Sequence, residues 1–304
     1  ADLTDATMIT VGGSYEKTHE NGVGDGLPRY STGGDVKLPR HSWYTTNQAY
    51  MDGYAKELFA KIDHYFNDDW KLNTSYTYAY DNADTEGVIP YGSVDETTNT
   101  GPYWWGSYVS SWSKQSVFDV NLSGTFDAFG RAHELLVGAD YQKVTSRWRA
   151  ARGMVGKGGL INLWDPQSTP LTSDASDHDY WRDYSPNTRE QYGLYSTLRL
   201  QITDPLKLII GARAQRYKYE QAYQTKTDDV WTYESEINHR EPTKVVPYGG
   251  LIYALDDEWS AYASYAEVFK PQAQKLKGPE GNSSAVEAMT GKTYETGIKG
   301  ELFG

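Results

Sequence analysis

The connections between predicted strands alternate in length along the whole chain, and this alternation is the feature that most limits the possible folds. The short links contain the Asn, Asp, Gly and Pro residues typical of hairpin turns, at 67–69, 128–130, 204–205 and 256–258. The long segments are rich in Gly, Asp, Asn, Thr and Tyr, and they cover 18–52, 82–111, 150–187, 221–242 and 270–291. In an antiparallel meander every second connection emerges at the same end of the sheet. One end would therefore carry only short turns, and the other end only long loops.

Between these connections the residues alternate with a period of two, which indicates strands and excludes helices. In the segment 70–81 one face carries Trp70, Leu72, Thr74, Tyr76, Tyr78 and Tyr80, while the other face is mainly polar. Clear alternation also occupies 118–127, 135–141, 192–202 and 206–215, and weaker alternation occupies 5–17, 54–66, 243–255, 259–269 and 292–303. Several segments exceed the roughly 5–6 residues of a soluble strand and reach the roughly 9–11 that a membrane-crossing strand needs. The sequence therefore predicts an all-β protein, an antiparallel transmembrane β-barrel with short periplasmic turns and long extracellular loops.

The composition supports this prediction and excludes other classes of protein. The chain has 26 Tyr and 10 Trp but only 7 Phe, so amphipathic aromatics replace aliphatic core residues. No apolar run approaches the roughly 18 residues of a membrane-spanning helix. A net charge of -12 argues against nucleic acid as a partner. The chain has no Cys, which excludes disulfides and thiolate metal sites.

Two segments near the C-terminal end carry a family resemblance. Residues 262–272 read YASYAEVFKPQ, and residues 291–303 read GKTYETGIKGELF. This pair resembles the barrel of TonB-dependent ferric-siderophore receptors, especially those for hydroxamate, coprogen and pyoverdine-type ligands. The segments 26–29 and 38–40 are similar to an early loop of the same barrels. The resemblance therefore extends over nearly the whole chain.

The resemblance implies a larger protein in the outer membrane of a bacterium. Such receptors enclose an N-terminal plug domain, preceded by an energy-coupling box, in a barrel of about 22 strands. Residues 1–304 account for about ten strands, so we expect a partial barrel domain without the plug or the terminal barrel strands. The implied function is binding of a ferric siderophore at the extracellular face, followed by import that a TonB-type coupling protein drives through the plug. The implied partners are the ferric siderophore, this coupling protein, outer-membrane lipid and lipopolysaccharide.

The candidate binding residues are aromatic side chains in the predicted extracellular loops. The iron of a ferric siderophore is already coordinated, so the receptor needs flat apolar surfaces and hydrogen-bond donors, with neither a metal site nor a resident cofactor of its own. Three adjacent aromatics that open a strand cannot all face lipid, which makes Tyr103, Trp104 and Trp105 the strongest cluster. The further candidates are Trp43, Tyr91, Trp148, Trp181 and Arg147, the last of which could pair with siderophore oxygens together with Arg149 and Arg152.

Other chemistry finds little support in the sequence. Asp174, Asp177, His178 and Asp179 could hold a cation, but their spacing matches no known ligand loop, and a solvated acidic loop is the better interpretation. No Ser, His and Asp arrangement has the signature of a nucleophile, so we do not expect an enzyme. Two alternatives stay open: a soluble all-β carbohydrate-binding or adhesin protein, and a TonB-dependent receptor for cobalamin, haem or a glycan.

Overall fold

The protein is described from a computed structural model. This structure describes residues 2–24, 26–151, 154–155, 159–169, 179–273, 276–277 and 284–300.

Ten long β-strands form the body of the described structure, and four strands of two or three residues (β1, β7, β12 and β13) accompany them. In chain order the strands are β1 (Asp2–Thr4), β2 (Thr7–Asn21), β3 (Tyr50–Tyr65), β4 (Trp70–Tyr91), β5 (Tyr103–Ala128), β6 (Arg131–Ala151), β7 (Met154–Val155), β8 (Tyr180–Gln201), β9 (Leu206–Thr227), β10 (Val230–Ala254), β11 (Trp259–Lys270), β12 (Leu276–Lys277), β13 (Ser284–Ala285) and β14 (Met289–Gly300). A single turn of 3-10 helix covers Pro166–Ser168. Within the described ranges, no helix is long and apolar enough to span a bilayer.

The long strands pair antiparallel with their sequence neighbours. The sheet runs β1-β2-β3-β4-β5-β6-β8-β9-β10-β11-β14, while β7 adds to the edge of β5, and β12 and β13 pair separately. The predicted fold class and the count of about ten strands are therefore confirmed. The sheet is open, with β1 and β14 at its two ends.

The short turns lie where the sequence predicts them. In the turn between β3 and β4, the Asn67 side chain accepts hydrogen bonds from the backbone N–H groups of Asp69 and Trp70 at 3.0 and 2.8 Å. Asp256 does the same between β10 and β11, accepting from Glu258 and Trp259 at 2.9 and 2.6 Å. These side chains replace the backbone partners that a tight turn leaves unpaired, which is why Asn and Asp are favoured there.

The strands are longer than the sequence predicts. The predicted loop 221–242 is wrong, because β9 and β10 continue through it to a two-residue turn at Asp228 and Asp229. Both turn residues have positive φ, 50° and 60°, as in the turn that suits a twisted hairpin. Much of 82–111 is likewise strand, with only residues 92–102 connecting β4 to β5. In these segments polar residues lie on both faces of the strand, so the alternation that reveals a strand is weaker than in 70–81.

The pairing register divides the sheet into two chemically different faces. Cross-strand partners share a face, so a row can be followed from strand to strand. One row runs from Asn73 to Asn121 to Gly138 to Tyr195 to Arg213, and we call its side the polar face. The opposite side, the apolar face, carries rows such as Tyr76, Phe118, Tyr141 and Tyr192. In a closed barrel of this kind the polar face lines the lumen and the apolar face meets lipid.

The loops at the long-loop end pack into small cores of their own. One core contains Val36, Tyr44, Val94 and Leu163, and a second contains Ala49, Val88, Trp104 and Ile161. The Tyr44 hydroxyl donates a hydrogen bond to the backbone carbonyl of Leu163. These cores fix the loops that follow β2, β4 and β6 against one another.

Candidate ligand-binding site

Three aromatic rings meet on the polar face at the loop end of β4 and β5. Tyr91 pairs with Tyr103 across the strands, and Trp105 lies two residues further along on the same face. The ring of Tyr91 lies 5.6 Å from that of Tyr103 and 6.3 Å from that of Trp105, measured between centroids. Tyr91 is 55% exposed. We call Tyr91, Tyr103 and Trp105 the upper aromatic cluster, and it presents open rings toward the side that a lumen would occupy.

Trp104 is placed differently from its two neighbours. Strand alternation turns its side chain to the opposite face, where it packs with Ala49, Val88 and Ile161 and is only 1% exposed. Its indole N–H donates to the backbone carbonyl of Thr169 at 2.7 Å. In this structure Trp104 therefore anchors loops and offers no surface to a ligand.

A second group of rings lies lower on the same polar face. Trp148 on β6 pairs with Ser111 on one side and with Tyr184 on the other. The Trp148 and Tyr184 rings are 5.4 Å apart and edge-on, and Tyr184 stacks on Tyr223 with a centroid distance of 4.5 Å. Trp148 is 37% exposed. We call Trp148, Tyr184 and Tyr223 the aromatic ladder.

The upper aromatic cluster and the aromatic ladder flank the same stretch of β5. Trp105 and Ser111, the neighbour of Trp148, are six residues apart in that strand, which corresponds to about 20 Å. The sequence prediction included Trp148 but missed Tyr184 and Tyr223, because their approach depends on the register of three strands.

The predicted arginines lie beside the aromatic ladder but are already engaged. Arg147 is on the apolar face, opposite Trp112, and its guanidinium makes a bidentate ion pair with Asp183. Arg149 places its guanidinium 4.2 Å from the centre of the Tyr180 ring. Arg152, the third arginine of the prediction, lies outside the described residues.

The two remaining candidates occupy loop and strand-end positions. Trp43 is 50% exposed in the loop between β2 and β3, where its ring covers Gly22. Trp181 donates its indole N–H to the carbonyl of Ala151 at 3.2 Å, and the Arg182 guanidinium lies 3.8 Å from its ring centre. The structure thus joins Tyr91, Tyr103 and Trp105 in one cluster and keeps Trp43 and Trp181 separate from it.

Below the rings, the polar face carries two groups of hydrogen-bonded side chains, which together we call the polar network. The Tyr195 hydroxyl donates to Asp119 at 2.7 Å, Asn121 donates to the same carboxylate at 2.8 Å, and Asn73 donates to Asn121 at 3.0 Å. Arg213 makes a bidentate pair with Asp140. Its Nε also donates to Gln215 at 3.0 Å. The sequence places Arg213 and Gln215 on a wet face, but it gives no means of finding their carboxylate and amide partners.

Carboxylates and imidazoles do not gather into a metal centre in the part of the chain that the structure describes. Asp174, Asp177 and His178 of the acidic segment lie outside the described residues. Asp179 is described and makes a 2.5 Å ion pair with Lys226.

Comparison with known proteins gives a family and a set of relatives. The family model described as "TonB dependent receptor-like, beta-barrel" matches residues 2–304. The chain is 32% identical over 313 residues to the ferric-pyoverdine M114 receptor PbuA of Pseudomonas sp. strain M114, and this match covers 99% of the chain and 36% of the relative. It is 30% identical over 312 residues to the ferric-pyoverdine BN7/BN8 receptor of Pseudomonas putida, covering 98% and 37% of the two chains.

A solved structure shows the same fold. The receptor FpvA of P. aeruginosa, in a complex with iron and a heterologous pyoverdine, superposes with a TM-score of 0.84 at 23% identity. This superposition covers 99% of the chain and 38% of FpvA. The chain therefore spans a little over a third of the length of the proteins that it matches.

Proposed function

The chain belongs to the TonB-dependent receptor β-barrel family, and from that premise we propose that it is part of an outer-membrane receptor that binds a ferric siderophore at its extracellular face and imports it by TonB-coupled transport. The relatives named above are ferric-pyoverdine receptors. Membership of this outer-membrane family removes the alternative of a soluble carbohydrate-binding or adhesin protein.

The observation that carries this proposal is the upper aromatic cluster. Its rings lie on the polar face, at the end of the sheet that carries the loops. A ferric siderophore is bulky and partly flat, and its iron is already chelated. Tyr and Trp rings supply apolar contact together with O–H and N–H donors at a low cost in conformational entropy.

We assign different roles to the predicted residues. Tyr91, Tyr103, Trp105 and Trp148 contact the siderophore, and Trp43 lies at the rim of the site. Trp104 anchors the loop at Thr169, and Trp181 joins the ends of β8 and β6, each through a hydrogen bond from its indole N–H to a backbone carbonyl. Arg147 holds Asp183 at the top of β8 and acts on the ligand only through the position of that strand.

The open sheet supports a proposal about the remaining parts of the receptor. The backbone groups at a bare sheet edge cannot face hydrocarbon without partners, so we propose that further strands of the receptor pair with the two end strands, β1 and β14, to close a barrel. We propose that a plug packs against the Asp119–Tyr195 and Asp140–Arg213 network, and that the coupling protein acts on that plug. The transport step involves no covalent chemistry by this chain.

Replacement of Trp105 by Ala in the intact receptor tests the proposal. We expect the W105A variant to bind its ferric siderophore at least about tenfold more weakly, because truncated aromatic hot spots cost about 2 kcal/mol or more. The matched control is W112A, which removes the same side chain from the same strand but from the apolar face. Binding is measured by tryptophan fluorescence quenching with a panel of ferric siderophores, cobalamin, haem and glycans.

Equal affinities of W105A and the wild-type receptor for the ferric siderophore would contradict the assigned site. Quenching by cobalamin, haem or a glycan, with none by the ferric siderophores, would overturn the ligand class.

A further inference from the structure

A cavity lies on the polar face between the aromatic ladder and the polar network. Its volume is about 280 Å³, and its lining includes Gln142, Arg189, Gln191, Tyr217, Lys270 and Pro271. Arg189 pairs with Val144, which is four residues before Trp148 on β6, so this row lies about 13 Å below the Trp148 ring. We call this cavity the lumenal pocket. It lies on the path from the rings to the polar network.

The end of β11 forms one wall of the lumenal pocket. Lys270 is the last residue of β11, and Pro271 has no N–H with which to continue the ladder. Gln272 then donates to the backbone carbonyl of Glu287 at 2.9 Å, and Ala273 is only 1% exposed. Lys270 and Pro271 thus share a cavity with residues of β6, although three strands separate β11 from β6 in the sheet.

The charged side chains that line the lumenal pocket are both cations. Arg189 and Lys270 are exposed, and the Arg189 guanidinium lies 6.0 Å from the centre of the Tyr219 ring. Among the residues that the structure describes, no carboxylate lines the pocket and none forms an ion pair with Arg189 or Lys270. Both cations are therefore available to a ligand that enters from the side of the rings.

Two carboxylates in the surroundings are engaged with other cations. Asp140, below the pocket, holds Arg213 in the bidentate pair of the polar network. Glu287, in the connection between β11 and β14, lies 3.7 Å from the ammonium group of Lys277. Neither carboxylate neutralises the lumenal pocket.

Glu241 is the carboxylate that shares the height of the pocket on the polar face. It pairs across the strands with Tyr217, and its side chain lies 3.1 Å from the imidazole of His239. Lys244, which pairs with Gln215, adds a third cation to the same face. Three cations thus face one carboxylate, which leaves two positive charges at this height in a chain whose net charge is -12.

We propose that the lumenal pocket binds a free carboxylate group of the ferric siderophore, and that the receptor thereby selects acidic siderophores. This inference rests on the proposed function, because it names the class of siderophore. A guanidinium presents paired N–H donors that match the two oxygens of a carboxylate, and the Lys270 ammonium adds a second positive charge. Gln142 and the Tyr217 hydroxyl supply neutral donors.

The size of the lumenal pocket fits a side group and not the whole ligand. Pockets for drug-sized molecules have volumes of roughly 300–1,000 Å³, and this one has about 280 Å³. The chelate therefore stays against the rings above, while a carboxylate-bearing arm reaches down to Arg189 and Lys270.

The test is a double-mutant cycle between the intact receptor and its ligand. The two probes are a ferric pyoverdine with a free carboxylate and the same complex with that carboxylate converted to an amide, which removes the charge and keeps the chelate. R189Q/K270Q removes both cations of the pocket, and R189K/K270R keeps both charges. The matched control is R216Q/R240Q, which removes two cations from the apolar face of β9 and β10 and so changes the net charge equally. Tryptophan fluorescence quenching measures each Kd.

We expect the wild-type receptor, R189K/K270R and R216Q/R240Q to bind the carboxylate probe at least tenfold more tightly than the amide probe. R189Q/K270Q should bind both probes with the affinity that the wild type has for the amide, which also verifies that this variant is folded.

Equal affinities of the wild type for the two probes would overturn the inference and leave the proposed function in place. An equal loss of affinity for both probes in R189Q/K270Q would also overturn it, because the two cations would then support the structure of the receptor and not the carboxylate. Absence of quenching by either probe in the wild type would overturn the proposed function and this inference with it.

Discussion

Gly138 on β6 lies directly across from Tyr195 on β8, and the tyrosine ring lies over the glycine. A Cβ atom added at Gly138 would lie 2.5 Å from the Tyr195 hydroxyl oxygen, closer than real Cβ contacts allow. The ring cannot move away freely, because its hydroxyl donates to Asp119 at 2.7 Å. Replacement of Gly138 by Ala therefore forces either overpacking or loss of this hydrogen bond.

The cost of Gly138→Ala can be worked out from these contacts. Overpacking costs about 1–3 kcal/mol, and loss of a hydrogen bond to a carboxylate costs about 1.5–3 kcal/mol. Against this, Ala in a strand is about 0.5–1 kcal/mol better than Gly. Overpacking of the ring and loss of the hydrogen bond are two ways of relieving the same clash, so their costs do not add in full. We therefore expect a net destabilisation of about 1–4 kcal/mol. In a Y195A background the obstacle is absent, and G138A should instead stabilise the barrel by about 0.5–1 kcal/mol.

Thermal unfolding of the intact receptor in detergent, followed by circular dichroism, measures all four members of this double-mutant cycle. The control is G87A, because a Cβ atom at Gly87 would meet no atom within 4 Å. The same destabilisation by G138A with and without the Tyr195 ring would refute the reasoning, as would an equal loss of stability in G87A.

Three further predictions concern turns and loops. Phe129 has a φ of 53°, which strains a bulky residue, and its side chain is 100% exposed and so loses no packing on replacement. Phe129→Asn should therefore raise the free energy of unfolding by about 1 kcal/mol in the same thermal assay. An unchanged free energy of unfolding would contradict the idea that Phe129 is strained. The backbone N–H groups of Thr98 and then Thr97 donate hydrogen bonds to the Asp95 carboxylate and lower its pKa, with Thr98 the larger cause. The stability that the ionised carboxylate gives the loop is therefore complete above the ordinary pKa of Asp and is lost as the pH falls through the lowered pKa. Hydrogen exchange at Thr98, corrected for intrinsic rates, should accelerate only below that pH, and D95N should remove the dependence. Burial raises the pKa of Tyr44, so the neutral phenol stabilises the loops at ordinary pH, and this stabilisation is lost as the pH rises through the raised pKa. Y44F removes the hydrogen bond to the Leu163 carbonyl and should destabilise the loops by about 1 kcal/mol, measured as faster hydrogen exchange at Leu163. Unchanged exchange at Leu163 would contradict a stabilising role for that hydrogen bond.

The sequence reveals strands where their two faces differ in chemistry. The segment 70–81 faces lipid on one side and a polar lumen on the other, so its alternation is visible in the residue order. The upper part of β10, residues 230–242, is exposed along much of its length. Trp231, Tyr233 and Ile237 keep some alternation there, but charged and polar residues surround them and the pairing shifts between Tyr233 and Ser235. The alternation is therefore weak, and the sequence predicts a loop in place of the strand. The position of the turn is still readable in principle, since Asp228 and Asp229 are residues that tolerate positive φ.

The candidate site is predictable only in part, for a related reason. Alternation within one strand requires that Tyr103 and Trp105 share a face and that Trp104 lies on the other. The sequence thus contains the information that divides the three rings, although their adjacency suggests a single cluster. Contacts between strands depend on register, which one sequence does not specify. The approach of Tyr184 and Tyr223 to Trp148, and of Asp183 to Arg147, becomes visible only in the structure.

The same register that hides these contacts also separates two sets of side chains on β9. On β9, Arg216 and Lys218 point to the apolar face, whereas Gln215, Tyr217 and Tyr219 point to the polar face. A shift of one residue in the pairing would exchange these sets and would place two cations in the lumen and three lumenal side chains against lipid. The Arg213–Asp140 ion pair and the Tyr195–Asp119 hydrogen bond oppose such a shift, because each joins side chains from different strands on the polar face. The polar network therefore stabilises the register on which the proposed siderophore site depends, and its loss should impair siderophore binding.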